Sequence, residues 1–281
     1  MVKLSTRVLV ACSNLISRWW PPNLDRYEDE LSYSRWQMGN AVGSYDRLYA
    51  PVRSFQGQRI LDLGSGEGGK TTYYSSKGPM LIVGIDIDAG KISRAKAFSR
   101  EQGQGEACHF LVGSAQHCPF VPGSFDTVIS EDCFDHYSDV EGVLREVHDL
   151  LRPAGVLLAR FDTYYNWGGS HLYNFVRVPW AHLIFSDQAL IEATRIVSAR
   201  FAARDPGGRR RETYAEQAER EIHQFRYFVN RISLCRWRKL LRRQGWKVVV
   251  EDTQCTGRKI PVFNLPVLDE LYNSLFYVLQ K

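Results

Sequence analysis

No two cysteines stand in a C-x-x-C spacing, and none of the six (12, 108, 118, 133, 235, 255) keeps a metal-ligand rhythm with histidine. A disulfide scaffold and a zinc ribbon are therefore excluded, and reduced, mostly buried thiols are expected, with no metal. No apolar run reaches the roughly eighteen residues of a membrane span. Lys3, Arg7 and the run Val8–Cys12 resemble a lipoprotein cleavage box, but the apolar core falls short of the roughly 7–15 residues of a signal. Export is not expected, and a cytoplasmic protein is. Internal repeats and low-complexity segments are also missing, which excludes solenoids and arrays.

The 281 residues, 44% of them hydrophobic, can bury a real core and suit one α/β domain with insertions. Charge is scarce in net terms, at +5, but unevenly placed. Residues 195–247 hold 15 Lys/Arg against 5 Asp/Glu, so the remainder is about −5 (5 minus 10). Such asymmetry marks either solvated helix faces or an anionic partner.

The chain is organised around Arg59-Ile-Leu-Asp-Leu-Gly-Ser-Gly-Glu-Gly-Gly69. Ile60, Leu61 and Leu63 read as a buried strand with Asp62 near its carboxyl end, and the glycines turn the backbone into a helix from about residue 69. Strand, glycine turn and helix form a ligand-cradling unit, because glycine lets main-chain N–H groups approach a ligand. Gly64, Gly66 and Gly69 also satisfy G-x-G-x-x-G, so a dinucleotide remains open on this stretch alone.

Ahead of it, residues 1–24 read as an amphipathic helix with Leu4, Val8, Leu15, Ile16 and Trp19 on one face, ended by Trp19-Trp20-Pro21-Pro22. That face suits either a cap on the domain's own pocket or a membrane surface. Residues 27–53 add one or two helices bearing the cleft candidates Tyr33, Arg35, Trp36, Gln37 and Tyr45. From residue 56 strands and helices alternate, the signature of a parallel sheet. Strands are expected at 59–63, 80–86, 107–112, 127–130, 156–161, 246–251 and 274–279, the last antiparallel. Helices are expected at 69–77, 89–101, 138–151, 186–197, 213–230 and 233–244, and a loop at 205–211. The implied architecture is a doubly wound, mostly parallel seven-stranded sheet. Its parts are a helical cap (1–55), a cofactor half (56–162), a helical lid insertion (163–244) and final strands (245–281).

In such sheets ligands bind beyond the carboxyl ends of the strands. There the chain places Asp62, Asp86, Ser114, Ser130, Glu131 and Asp162. Asp86, twenty residues past the turn, is spaced to accept from both hydroxyls of a ribose. Ile60–Gly68 resembles the first motif of class I S-adenosylmethionine-dependent methyltransferases, and Val83–Asp88 is similar to their second-strand motif. Val112–Ser130 resembles their third and fourth strand signatures, and Leu150–Leu158 the approach to strand five. The small-molecule branch that includes ubiquinone/menaquinone biosynthesis methyltransferases is the most similar.

The resemblance implies S-adenosyl-L-methionine as cofactor. It places Gly64, Ser65 and Gly66 along the methionine moiety, with Asp62 near the ammonium. Asp86 takes the ribose, Ile87 packs on the adenine, Ser114 and Ala115 lie at the adenine edge, and Glu131 lies beside the methionine. Where the family often has Asp, this chain has Ser114, a neutral and weaker acceptor.

Methyl transfer from a sulfonium needs in-line positioning, and a base only where the acceptor arrives protonated. Glu131, His136 and His171 are the candidate catalytic groups, with Asp132, Asp135 and Tyr137 in the same stretch. The insertion supplies candidate acceptor-binding residues Tyr164, Tyr165, Trp167, His171 and His182, joined by Tyr33 and Trp36. Aromatic lining suits an apolar or aromatic small-molecule acceptor, with O- or C-methylation ahead of N-methylation. The basic 195–247 segment keeps an RNA or DNA methyltransferase as the alternative. Against nucleic acid stand the missing Asn-Pro-Pro-Tyr-like tetrapeptide after strand four and the missing RNA-binding module. A non-catalytic relative that binds S-adenosylmethionine is a third reading. The basic segment and the N-terminal helix are the candidate surfaces for a peripheral membrane contact or a homodimer.

Overall fold

In β1 (Arg59–Leu63) the last four residues are all buried, because the strand is covered on both faces. Ile60 enters one core while Leu61 and Leu63 enter the other. The same split recurs in β2 (Leu81–Asp86), where Ile82 opposes Val83 and Ile85, and in β4 (Phe125–Glu131), where Ile129 opposes Val128. It recurs again in β5 (Leu151–Phe161) and β7 (Leu275–Gln280). Period-two alternation between two apolar layers is what a doubly covered sheet requires.

The computed structural model describes residues 3–22, 24, 28–204, 211–253, 270–271 and 274–281. Of the loop expected at 205–211, residues 205–210 lie outside them, as does Cys255. With β3 (Cys108–Val112) and β6 (Lys247–Asp252), the sheet runs β3-β2-β1-β4-β5-β7-β6. The first five strands are parallel, and β7 is antiparallel to both β5 and β6. The chain leaves β1 in one direction to β2 and β3, then returns to β4 on its other side. The switch point, where open α/β sheets bind ligands, therefore lies between β1 and β4.

Helices α3 (Gly69–Ser75), α4 (Ala89–Glu101) and α5 (Val140–Leu150) connect these strands. Three expected boundaries move most, the first being that of the N-terminal helix, read over residues 1–24, which spans Leu4–Ile16 and gives way to turns before Trp20. Strand five begins at Leu151, because Arg152–Gly155 forms an irregular extended start with Ala154 at φ 62°. The register shifts there against β4, and a proline is tolerated at such a bulge. After the short α6 (Ala181–Ile184), the helix expected to end at 197 continues as α7 (Asp187–Arg204), since the alanine-rich turns to Arg204 hold no glycine or proline.

The N-terminal segment divides between two bodies. Helix α1 (Leu4–Ile16) joins the insertion, where Leu9 and Val10 share a core with Leu172, Phe175, α7 and α8 (Tyr214–Tyr227). Helix α2 (Ser32–Ser44) and the wide turn Tyr45–Tyr49 pack instead on the sheet, burying Ala41, Tyr49 and Phe55. The far end of the insertion also returns to the sheet, because α9 (Leu234–Arg243) sends Trp237, Leu240 and Leu241 into the opposite core.

Trp237 is fully buried, with ring centroids 4.8 Å from Phe134, 4.7 Å from Phe161 and 5.7 Å from Tyr277. Trp237→Ala is expected to cost about 3–5 kcal/mol in urea unfolding, and Trp237→Phe clearly less.

Candidate active site

Beyond Leu63 the backbone turns through Gly64, Gly66 and Gly68 at φ +81°, +56° and +75°. A Cβ on Gly64 would lie 2.4 Å from Cys133 Sγ, and one on Gly68 would lie 2.6 Å from Ala95 and 2.8 Å from Phe110. Both positive φ and close approach therefore demand glycine. Asp86 braces the turn, its Oδ2 accepting from Gly66 N (3.0 Å) and its Oδ1 from Asp88 N (2.9 Å). Each oxygen keeps a further lone pair. Ile87, next to it, is 74% exposed.

Buried polar atoms line the turn. Ser65 Oγ and Gln37 Oε1 are buried without partners, and Gln37 Nε2 lies 3.7 Å from where a Gly66 Cβ would stand. Buried Asp62 accepts from Thr71 Oγ1 at 2.5 Å. Burial pushes its carboxyl up to about 6, against the pull of Thr71 and Lys70. A buried carboxyl in that state favours a cationic partner. Ser114 closes the far side, its Oγ accepting from Gln116 N at 3.2 Å.

At the end of β4, Glu131 is buried among five donors. Ser44 Oγ (2.8 Å), Arg160 Nη1 (2.9 Å) and Lys70 Nζ (3.1 Å) reach Oε1. Tyr49 OH (3.0 Å) and Tyr74 OH (2.8 Å) donate to Oε2. Burial opposes its charge, but Lys70 and Arg160 outweigh burial and hold its pKa below the ordinary carboxylate value. A carboxylate so held is a poor proton acceptor. In the structure Glu131 joins the N-terminal segment, α3 and β5 through these five donors.

The chain then takes a strained step at Asp132 (φ 59°), whose Oδ2 accepts from Lys70 Nζ at 2.8 Å. Beyond it lies a cavity of about 190 Å³, walled by Asp135, Asp162, Asn166, Trp167, His171, Tyr173 and neighbouring residues. His171 Nε2 is 3.0 Å from Asp135 Oδ2, and His136 Nε2 is 3.5 Å from the same oxygen. Burial raises the cost of the Asp135 charge, yet His136 and His171 hold its pKa below the usual value. For His171, burial disfavours the imidazolium, but the hydrogen bond and charge of Asp135 win and raise its pKa. For His136 burial wins and lowers it.

An ionised Asp135 accepts only, so His171 carries its proton on Nε2 and leaves Nδ1 as its basic nitrogen. His171 itself sits at φ 62°. Two of the four non-glycine residues at positive φ among those described, Asp132 and His171, thus belong to this site. Asp135 Oδ1 and Asp162 Oδ1 are buried without partners. The Asp135, His136 and His171 donor atoms lie within 4.8 Å of one another, close enough for a cation as well. The short Nε2–Oδ2 contact is accounted for by a hydrogen bond.

Of the acceptor residues named from sequence, Trp167 and His171 line this cavity and the others stand elsewhere. His182 is buried, donating Nε2–H to Tyr164 O at 2.6 Å. Tyr164 enters the insertion core, and Tyr165 stands edge-on to it. Tyr33 and Trp36 stack at 5.7 Å on α2.

Sequence reading did not weigh Lys70, Arg160, Glu67 or Arg211. Arg211 donates to Glu67 Oε2 (2.9 Å) and Oε1 (2.7 Å), which ties the insertion to the glycine turn. A carboxylate inside a turn that favours anions was the available signal. In the basic segment Arg195, Arg211, Arg220, Arg231, Arg238 and Arg243 all face carboxylates. Much of its charge is therefore spent within the protein. Among the described residues no helix is long and apolar enough to cross a membrane.

Residues 61–159 match a family described as a methyltransferase domain. A sterol 24-C-methyltransferase of Pneumocystis carinii is 32% identical over 125 residues, covering 42% of this chain and 33% of that protein. The chain spans about a third of the length of such curated relatives. Among solved structures, an S-adenosylmethionine dependent methyltransferase from Mesorhizobium loti matches with TM-score 0.57 and 18% identity, covering 87% of this chain and 100% of that one. Magnesium protoporphyrin IX methyltransferase from Synechocystis PCC 6803, solved with bound SAH, matches with TM-score 0.51 and 15% identity over 96% of this chain and 95% of that one. Residues 61–159 thus match the methyltransferase domain family, and the chain around them has the Rossmann-like fold seen in those two solved structures.

Proposed function

We propose that the protein transfers the methyl group of S-adenosylmethionine to a hydroxyl of a small-molecule acceptor, with His171 as base and Asp135 as the residue that orients it. The observation that carries this reading is the Asp135–His171 pair in a polar cavity at the carboxyl ends of β4 and β5. That cavity stands beside the strands that bear the glycine turn and Asp86. When bound, S-adenosylmethionine supplies an already electrophilic sulfonium methyl. The residues at the turn fit it. Asp62, with Gln37 Oε1, takes the ammonium, and Gly64–Gly66 give close main-chain approach. Asp86 accepts from the ribose hydroxyls, exposed Ile87 covers the adenine face, and Ser114 with Ala115 borders its edge.

The acceptor side follows from the cavity. Asn166, Asn174 and the unpartnered Asp162 Oδ1 position a polar head, while Trp167 and Tyr173 form aromatic walls. His171 Nδ1 takes the acceptor proton, and ionised Asp135 stabilises the imidazolium that results. Glu131, fixed by its five donors, holds α2, α3 and β5 around the transfer point. Relatives whose names specify carbon or nitrogen methylation act on their own acceptors. The hydroxyl acceptor proposed here rests on the histidine–carboxylate pair.

The test is S-adenosylhomocysteine release from a panel of phenolic and alcoholic acceptors. His171→Gln is expected to lower kcat by roughly 10²–10⁴-fold without changing cofactor affinity. His171 must be neutral to act and its pKa is raised, so activity should climb with pH through a midpoint above the ordinary imidazole value. Asp135→Asn should move that midpoint down. Insensitivity to His171→Gln, or loss of activity on chelating metals, would remove the base assignment.

A second expectation concerns Asp62, whose carboxyl titrates at about 6. A cationic ammonium needs it ionised, so calorimetric affinity for S-adenosylmethionine should fall as pH drops through that value. Asp62→Asn should weaken binding and flatten the dependence.

A further inference from the structure

Helix α1 is apolar on two sides, with Leu9 and Val10 packed into the insertion core and a second apolar stripe facing outward. Thr6 and Ser13 are buried against the insertion, where Thr6 Oγ1 donates to Glu192 Oε2 (2.8 Å) and Ser13 Oγ accepts from Arg177 N (3.0 Å). Leu4, Val8 and Leu15 face solvent at 74%, 45% and 59% exposure, and Trp19 and Trp20 follow at 89% and 52%. Residues 4, 8 and 15 fall within about 40° of one another on a helical projection, and Trp19 and Trp20 stand in the turn that follows the helix. Leu9 and Val10 suffice to cap the insertion, and a helix with that role alone would carry polar residues on its outer face.

We propose that the outer face of α1 docks on an anionic lipid surface, and that the acceptor is an amphiphile presented from it. The second clause rests on the methyl-transfer reading above. Charge favours lipid as the occupant, since residues 3–20 carry Lys3, Arg7 and Arg18 and no Asp or Glu. Tryptophan beside a cationic, apolar helix is the composition of the bilayer interface. The stripe is too small for a stable dimer. A helix of this length is about 20 Å long, so its stripe offers roughly 200 Å² and the two tryptophans roughly 300 Å² more, against about 800 Å² per partner in a standard interface.

The face also leads to the site. The Trp20 ring lies tilted 5.4 Å from Trp167, which lines the cavity, and Trp167 stands 4.5 Å from Tyr173. A cavity of about 190 Å³ takes a single ring or polar head, so a long apolar tail stays outside it, next to Trp20.

The experiment is co-sedimentation of the full chain with vesicles of phosphatidylcholine, with and without phosphatidylserine. The chain should pellet with the phosphatidylserine vesicles and come off at high salt, with a blue shift of tryptophan emission. Leu4→Ser/Leu15→Ser/Trp19→Ser should weaken vesicle binding about tenfold or more, while circular dichroism and S-adenosylmethionine affinity stay unchanged. Arg7→Glu/Arg18→Glu should remove the preference for phosphatidylserine. Wild type that ignores both vesicles, or a triple variant that binds like wild type, would overturn the proposal. So would a dimer in sedimentation velocity that the triple variant dissolves, which would give the face to a second copy. Because the readout is vesicle binding, failure here leaves S-adenosylhomocysteine release as an independent measure of methyl transfer.

Discussion

One buried carboxylate holds the ligand-binding side of the sheet together. Glu131 ends β4 at the switch point and draws Ser44 and Tyr49 from the N-terminal segment, Lys70 and Tyr74 from α3, and Arg160 from β5. Burying such a charge is costly, and removing any one donor leaves the rest uncompensated. Specificity of arrangement follows: α2 must cross the glycine turn, and α3 must begin where it does. Gly69 records the closeness, since a Cβ there would lie 2.1 Å from Ser34 O.

The same fixed point divides the labour of the site. On one side of β4, the glycine turn and Asp86 form a cleft with unpartnered polar atoms and a buried, proton-hungry Asp62. On the other side, the chain steps through strained Asp132 into the cavity of Asp135 and His171. The insertion is bound to both. It supplies His171 and Trp167 to the cavity, and through Arg211 it clamps Glu67 in the turn. In the proposed reading, acceptor and methyl donor meet across β4, and the insertion sets which acceptors fit.

The sheet was legible because its signals are local. Strand periodicity, glycine punctuation and carboxylates at strand ends all act within a few residues, so the strands fell where the pattern put them, within a few residues at their ends. The lack of a crossover helix before the last strand was enough to infer its reversal. What escaped was set by tertiary contact. Nothing near Lys70 or Arg160 in sequence shows that both close on Glu131, sixty-one and twenty-nine residues away. Tyr164, Tyr165 and His182 lie in the same aromatic stretch as Trp167 and His171. Only the packing of the insertion core decides which of the five face the cavity. The α1 stripe was visible as a stripe, but its direction depended on Leu9 and Val10 packing into the insertion and on Thr6 and Ser13 finding partners there.

The central claim is that cofactor and acceptor meet above the end of β4. Its most direct test is a crystal structure of the chain with S-adenosylhomocysteine. The account predicts the homocysteine along Gly64–Gly66, the ribose on Asp86, and the sulfur facing the cavity of Asp135 and His171. S-adenosylhomocysteine bound elsewhere, or with its sulfur turned away from that cavity, would contradict it.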